Sequence, residues 1–319
     1  MKKHIVVLGG GTGTSTVLTG LKDRGVALSA IVSMADDGGS TGILRKELGV
    51  LPPGDIRQCL LALSNASDEV KNLFGYRFSE GSLKGHNAGN LILAALEKSS
   101  GSFTSAIDSA KEILKVEGDV IPVTLDQTTL HVIHGEKKEE IVGEHLIDEA
   151  AIEIPRSFSL EPKASLNPRA KKAIEGADLI IIGPGSLGTS LIPVLIIDGM
   201  KESIAASKAK ILFNVNLVTT AGDGGLSGAH DFVEEIEKYL PRPIDIALYN
   251  TGDLPVGVGV SADPIAIGDD REDDTRFFGL PLVKNEIVEK KAGDVLKRSP
   301  VKHDPTALGD AIMDYLQSV

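Results

Sequence analysis

The chain has 319 residues, 42% of them apolar, with 35 glycines, a composition that excludes a fibrous, disordered or low-complexity protein and describes a turn-rich globular one. A formal net charge of −12 with no Lys/Arg cluster argues against broad nucleic-acid binding, since phosphate contacts need clustered cations. The single cysteine, Cys59, cannot close an intrachain disulfide, and the apolar runs fall short of the roughly 20 residues a bilayer span requires, so a cytoplasmic protein with no membrane insertion is expected.

In chain order, Met1-Lys2-Lys3 leads into a short apolar run, Ile5 to Leu8, too short for a signal-peptide core. This run and Ala27–Val32, Leu179–Ile182, Ile211–Val215 and Ile244–Leu248 are β-rich and apolar on both faces, the pattern of buried parallel strands. Helical patterns follow several of them, at about Thr14–Asp23, Pro193–Ser207 and Ala229–Leu240. The repeated strand-loop-helix unit predicts an α/β fold, a Rossmann-like doubly wound and mostly parallel sheet with helices on both faces. Two further helical stretches lie near Asp55–Leu63 and Asn87–Lys98. The segment of about 119–154 reads differently, as short strands Val120–Val123, Leu130–Ile133 and Glu140–Val142 forming a small antiparallel excursion on one domain that spans 1–319. Beyond Leu254 the pattern weakens, and the acidic run Asp269–Asp274 reads as a solvated loop.

The first strand runs directly into Gly9-Gly10-Gly11-Thr12-Gly13, whose glycines let backbone N–H groups approach an anion at the start of a helix. No Gly-Lys-Ser/Thr follows, so this is not a Walker loop. Thr14 stands where a dinucleotide fingerprint needs its third glycine or alanine, which disfavours an NAD dehydrogenase. After the second strand, Asp36, Asp37 and Gly38 sit at the carboxyl edge of the sheet, where the aspartates can accept ribose bonds, hold a divalent ion such as Mg²⁺, or serve as turn residues. Asp55 opens the next helix as an N-cap or a metal ligand, with Arg57 in its first turn. His86, Asn87 and Asn90 mark another helix start and suit a base or sugar, or simply a cap. Gly183, Gly185 and Ser186 repeat the glycine-hydroxyl arrangement after a second buried strand, as if to grip the other end of one ligand. Asn214 ends a third strand.

Taken together, Gly9–Gly13, Ala35-Asp-Asp-Gly-Gly-Ser40, Pro52-Pro-Gly-Asp-Ile-Arg57, Gly85-His-Asn-Ala-Gly-Asn90, Ala177–Leu187 and Asn214-Val-Asn216 resemble the bacterial gluconeogenesis factor family, a relative of the 2-phospho-L-lactate transferases. The resemblance covers most of the chain. It implies a Rossmann-like sandwich that binds a nucleotide diphosphate or UDP-sugar such as UDP-N-acetylglucosamine and supports cell shape and wall synthesis during gluconeogenic growth. The related transferases imply an alternative: movement of a phospholactyl-type group from a nucleotide diphosphate donor with Mg²⁺, Asp37 and Asp55 then being the metal and catalytic carboxylates. Gly188 stands where the family usually has tyrosine. Lys302, in Lys302-His303-Asp304, stands where it often has arginine and is the expected phosphate-end cation. A homo-oligomer stays open.

Overall fold

The computed structural model describes residues 2–254, 265, 275–283 and 301–318; the acidic run Asp269–Asp274 lies outside them. The elements follow as β1 (His4–Gly9), α1 (Thr12–Leu21), β2 (Ala27–Val32), α2 (Gly39–Leu48), α3 (Gly54–Ala62), α4 (Asp68–Gly75), α5 (Ala88–Ser100), α6 (Phe103–Leu114) and β3 (Asp119–Pro122). They continue through β4 (Thr129–His134), β5 (Glu139–Val142), α7 (Glu144–Glu149), β6 (Arg156–Glu161), α8 (Pro168–Glu175) and β7 (Leu179–Ile182). After a π-helical turn at Leu187–Leu191 come α9 (Ile192–Leu195), α10 (Met200–Ala206), β8 (Lys210–Asn214), α11 (Ala229–Glu237), β9 (Ile246–Asn250), β10 (Phe277–Leu280) and α12 (Pro305–Ser318).

Seven strands form one sheet in the order β10-β9-β8-β7-β1-β2-β3, and every pairing in it is parallel. From β1 the chain builds outward through β2 to β3, then returns to the other side of β1 and builds outward again from β7. The order therefore reverses between β1 and β7, which makes the carboxyl ends of these two strands the topological switch point, the place where open α/β sheets take ligands. Ile5–Leu8 and Leu179–Ile182 are almost wholly shielded from water because helices cover the sheet, and this explains their continuous apolar sequence.

A smaller antiparallel sheet, β5-β4-β6, carries α7 beside the switch point. Its extent differs from the sequence expectation of 119–154 in two ways. The predicted strand at Val120–Val123 is β3, an edge strand paired parallel to β2. Its crossover is α6, whose inward residues Phe103, Ala106, Ile107, Ala110 and Leu114 follow a helical period. The excursion instead closes with β6, whose alternating residues carry too little apolar character to signal a strand. The predicted helix over Pro193–Ser207 is likewise broken into α9 and α10. Among the described residues no helix is long and apolar enough to cross a membrane.

Helix α12, past the point where the sequence pattern weakens, returns to pack along α1. Asp304 caps it by accepting from the Thr306 and Ala307 amides, and Pro305 occupies its first turn. The two helices cross at glycines: a Cβ on Gly20 would collide with the Pro305 carbonyl, and one on Gly309 with the Gly20 carbonyl. Gly309→Val is expected to cost about 2–4 kcal/mol of stability, because backbone rather than a yielding side chain stands in the way. Asp310→Ala, which removes only the half-exposed ion pair to Arg24, is expected to cost less than about 1 kcal/mol. Urea unfolding monitored by circular dichroism checks both.

Candidate active and binding cleft

The two glycine turns that follow β1 and β7 touch. A Cβ on Gly13 would collide with the carbonyl oxygen of Pro184, so only glycine lets the amino end of α1 approach the Gly183–Ser186 turn this closely. Asn216, in the loop that follows β8, fixes that second turn by accepting from the Gly185 amide at 3.0 Å. The first-turn amides of α1, which have no intrahelical acceptor, lie beside it. A cleft of about 440 Å³ opens over both turns, lined at its floor by Gly10, Gly11, Thr12, Gly13, Pro184, Gly185 and Ser186.

One flank of the cleft is acidic. Asp36 and Asp55 line it from the β2 loop and the start of α3, and Glu144 and Asp148 from α7. Asp55 faces the first turn directly, its carboxylate occupying the space a side chain on Gly11 would need. Gln58, one turn along α3, accepts from the Thr12 hydroxyl at 3.0 Å. Asp36 is held by the Gly38 amide at 3.0 Å, and a Cβ on Gly54 would stand 2.8 Å from its Oδ2. Burial, together with the charge of Asp37, raises the Asp36 carboxyl above the usual range against the hydrogen bonds from Gly38 and Thr41. Burial first, and then repulsion from Asp36, Asp148, Asp55 and Asp37, pushes Glu144 up to about 9. Near neutral pH Glu144 therefore holds a proton inside the cleft.

The lining is basic as well as acidic. Arg77 and Lys84 contribute to it from the segment joining α4 to α5, together with Arg57 and Asn90. Arg57 is buried and donates from Nε to Asn90 Oδ1 at 2.9 Å. The motifs do not single out Arg77 and Lys84, because isolated cations in a polar segment have no periodic signature.

Other predicted site residues stand at varying distances from the opening. Gly38 and Asn90 line the cleft; Gly9 ends β1 beneath it. His86 reaches it through Ser40, a lining residue that contacts its Nδ1 at 3.1 Å. Asn87 is spent on local structure, accepting from the Asn90 amide as the cap of α5 and donating to the Gly75 carbonyl. Asp36, and not Asp37, lines the cleft together with Asp55. Asp37 turns the other way and accepts from the Glu144 and His145 amides at 3.2 and 2.8 Å, docking the start of α7. Asn214 is buried below the Gly183 turn, its Nδ2 3.4 Å from Nε2 of His303, a ring whose burial lowers it to about 4 and keeps it neutral. Lys302 precedes that histidine and is not among the residues lining the cleft. At Gly188 the ring edge of Phe158 of β6 stands 3.0 Å from where a Cβ would be, so a side chain there would crowd that ring.

The family described as 2-phospho-L-lactate transferase CofD matches residues 5–262. The gluconeogenesis factor of Listeria innocua is 37% identical over 99% of this chain and 96% of its own length. That of Bacillus subtilis is 36% identical over 99% of both. A crystal structure of a UPF0052-family protein from Bacillus halodurans superposes with a TM-score of 0.88 at 33% identity, over 98% of this chain and 99% of that one.

The raised Glu144 fixes the sign of a pH effect. The folded protein keeps this proton up to about pH 9, whereas the unfolded chain releases it near the ordinary value of 4.5, so stability falls as pH rises between the two. Glu144→Gln is expected to flatten the fall and raise stability at pH 8.5 by on the order of 2 kcal/mol. Melting temperatures of both proteins from pH 5 to 9 check it; parallel curves would contradict the assignment.

Proposed function

The chain belongs to the 2-phospho-L-lactate transferase CofD family, alongside the gluconeogenesis factors, and on that premise we propose that it binds a nucleotide diphosphate carrying a sugar, of the UDP-N-acetylglucosamine type. In this reading it acts in the cytoplasm, in support of cell shape and wall synthesis during growth on gluconeogenic carbon. The observation that carries the proposal is the contact of two glycine turns at the switch point. It brings the amino end of α1 and the Gly185–Ser186 backbone to one place, where amides and a helix dipole favour a diphosphate. Asp36, Asn90 and Ser186 orient the remainder of the ligand.

A second reading, transfer of a phospholactyl-type group from a nucleotide diphosphate donor, is favoured by the acidic flank. The residues present fit the Mg²⁺ that this chemistry uses. Asp36 and Asp55 both line the cleft, Asp55 with its carboxylate against Gly11, and oxygen donors suit this cation. Among the described residues no group of three or more His, Cys, Asp or Glu side chains is gathered to hold a metal. That agrees with Mg²⁺ bound by one or two carboxylates together with ligand phosphates. Bound there, the ion would neutralise charge on the diphosphate. Glu144, protonated at neutral pH, would serve as the acid that donates to the departing nucleotide phosphate, the acceptor hydroxyl's own proton passing to another carboxylate of the flank as the new oxygen–phosphorus bond forms.

Calorimetry with UDP-N-acetylglucosamine and with GDP, each with and without Mg²⁺, separates the readings. UDP-N-acetylglucosamine is expected to bind, and Gly13→Ala, by pushing the turns apart, to weaken it at least about tenfold, or roughly 1.4 kcal/mol. Asp55→Asn is expected to remove whatever Mg²⁺ contributes. Binding of GDP alone, and only with Mg²⁺, would replace the first reading with the second.

A further inference from the structure

Two cavities share walls made by α2 and α7, and the nucleotide reading uses only one of them. Asp36, Thr41, Ile43, Glu144 and Asp148 line the cleft, while their chain neighbours Asp37, Gly42, Arg45, Gly143 and Leu146 line a second space of about 410 Å³. His145 lines both. The partition is closely made. A Cβ on Gly42 would collide with the Asp37 carbonyl, one on Gly143 would stand 2.7 Å from Asp37 Oδ2, and Asp37 accepts from the first two amides of α7.

The second space has a lining of its own character. Arg45 donates from Nη1 to the Ala35 and Asp36 carbonyls at 3.3 and 2.9 Å, and from Nη2 to the Thr128 carbonyl at 2.8 Å. Three carbonyls thus fix a half-buried guanidinium whose Nε–H and one Nη2 hydrogen stay outside these bonds. Among the described residues neither Arg45 nor Lys46 forms an ion pair. Asp37, whose two oxygens are taken by amides, is the one carboxylate among the described residues that line this space. Val50, Val142 and Leu146 supply an apolar side, the last two 43% and 57% exposed.

We propose that this space is a second ligand site, for a small organic anion with an apolar body, and that its occupation is felt in the cleft through α7. A fixed cation and exposed aliphatic side chains meet in one cavity of a chain of net charge −12, and neither bare phosphate nor a neutral hydrocarbon would satisfy both. A ligand there touches Asp37, His145 and Leu146. It therefore bears on the short helix that carries Glu144 and Asp148 into the cleft. Coupling through a shared wall is reciprocal, so nucleotide in the cleft also changes the second site. The coupling rests on the nucleotide reading; the site does not.

The probe is 8-anilinonaphthalene-1-sulfonate, an apolar anion that fluoresces on binding, set against N-phenyl-1-naphthylamine, which has the same rings without the sulfonate. The exposed side chains of Lys46 and Leu146 line this space and not the cleft, so a double variant, Lys46→Glu with Leu146→Glu, strikes the site and spares the fold. The parent is expected to bind the sulfonate at least about tenfold tighter than the neutral probe, and the double variant to bind the sulfonate at least about tenfold more weakly. Equal affinity of the parent for both probes would overturn the site. So would equal affinity of the sulfonate for parent and folded variant. Saturating UDP-N-acetylglucosamine, or GDP with Mg²⁺, is expected to shift the sulfonate affinity of the parent to a plateau about fivefold away. A shift that keeps growing with nucleotide puts the probe in the cleft and overturns the proposal, and no shift overturns the coupling. Where neither nucleotide binds the parent, the nucleotide reading fails by itself, and the two probe titrations still decide the site.

Discussion

The close approach of Gly13 to the carbonyl of Pro184 is the constraint around which the cleft is built. It joins the loops after β1 and β7, the two strands between which the sheet order reverses. Neither loop alone would make a diphosphate site: each would be one glycine turn before a helix. Brought into contact, they present amides from both sides of the switch point. The α2 loop, α3 and α7 then close the space above, and Asp37 docks α7 by accepting from its first two amides.

The charge arrangement that results is uneven. A carboxylate, Asp55, stands against the same turn that would receive a phosphate, which costs binding energy unless a cation or a proton offsets it. Nearby, Asp36 and Glu144 are raised first by burial and then by neighbouring carboxylates, Asp37 for Asp36 and Asp36, Asp148, Asp55 and Asp37 for Glu144. Cations from the segment before α5 line the same cleft without ion-pair partners among the described residues. The ligand that suits this lining is a diphosphate with a cation or a proton near it, a chemical description shared by nucleotide sugars and by phospholactyl donors.

Much of this was legible in the sequence, for particular reasons. Fully apolar strands such as Leu179–Ile182 announce a covered parallel sheet, and Gly9–Gly13 after such a strand announces a ligand-facing turn. Sequence could not pair the strands. Asp119–Pro122 looks the same whether it joins β2 or an antiparallel neighbour, and β6 has only two alternating apolar residues, Phe158 and Leu160, to mark it. Nor could it distinguish adjacent aspartates. Asp36 and Asp37 are chemically identical in a motif, yet the backbone turns one toward the cleft and the other toward α7. Asn87 matched a ligand-binding pattern because a cap and a ligand contact demand the same carboxamide. Arg77 and Lys84 acquire meaning only once the fold brings them to the opening. Phe158 could not have been connected with Gly188 from spacing alone, since they meet across 29 residues of intervening chain.

A crystal structure of the chain with UDP-N-acetylglucosamine and Mg²⁺ tests the central claim most directly. The account predicts diphosphate density within hydrogen-bonding distance of backbone amides from both the Gly10–Gly13 and Gly185–Ser186 turns. A diphosphate bound at Arg77 and Lys84, or outside the cleft, with the two turns touching no ligand atom, would contradict it.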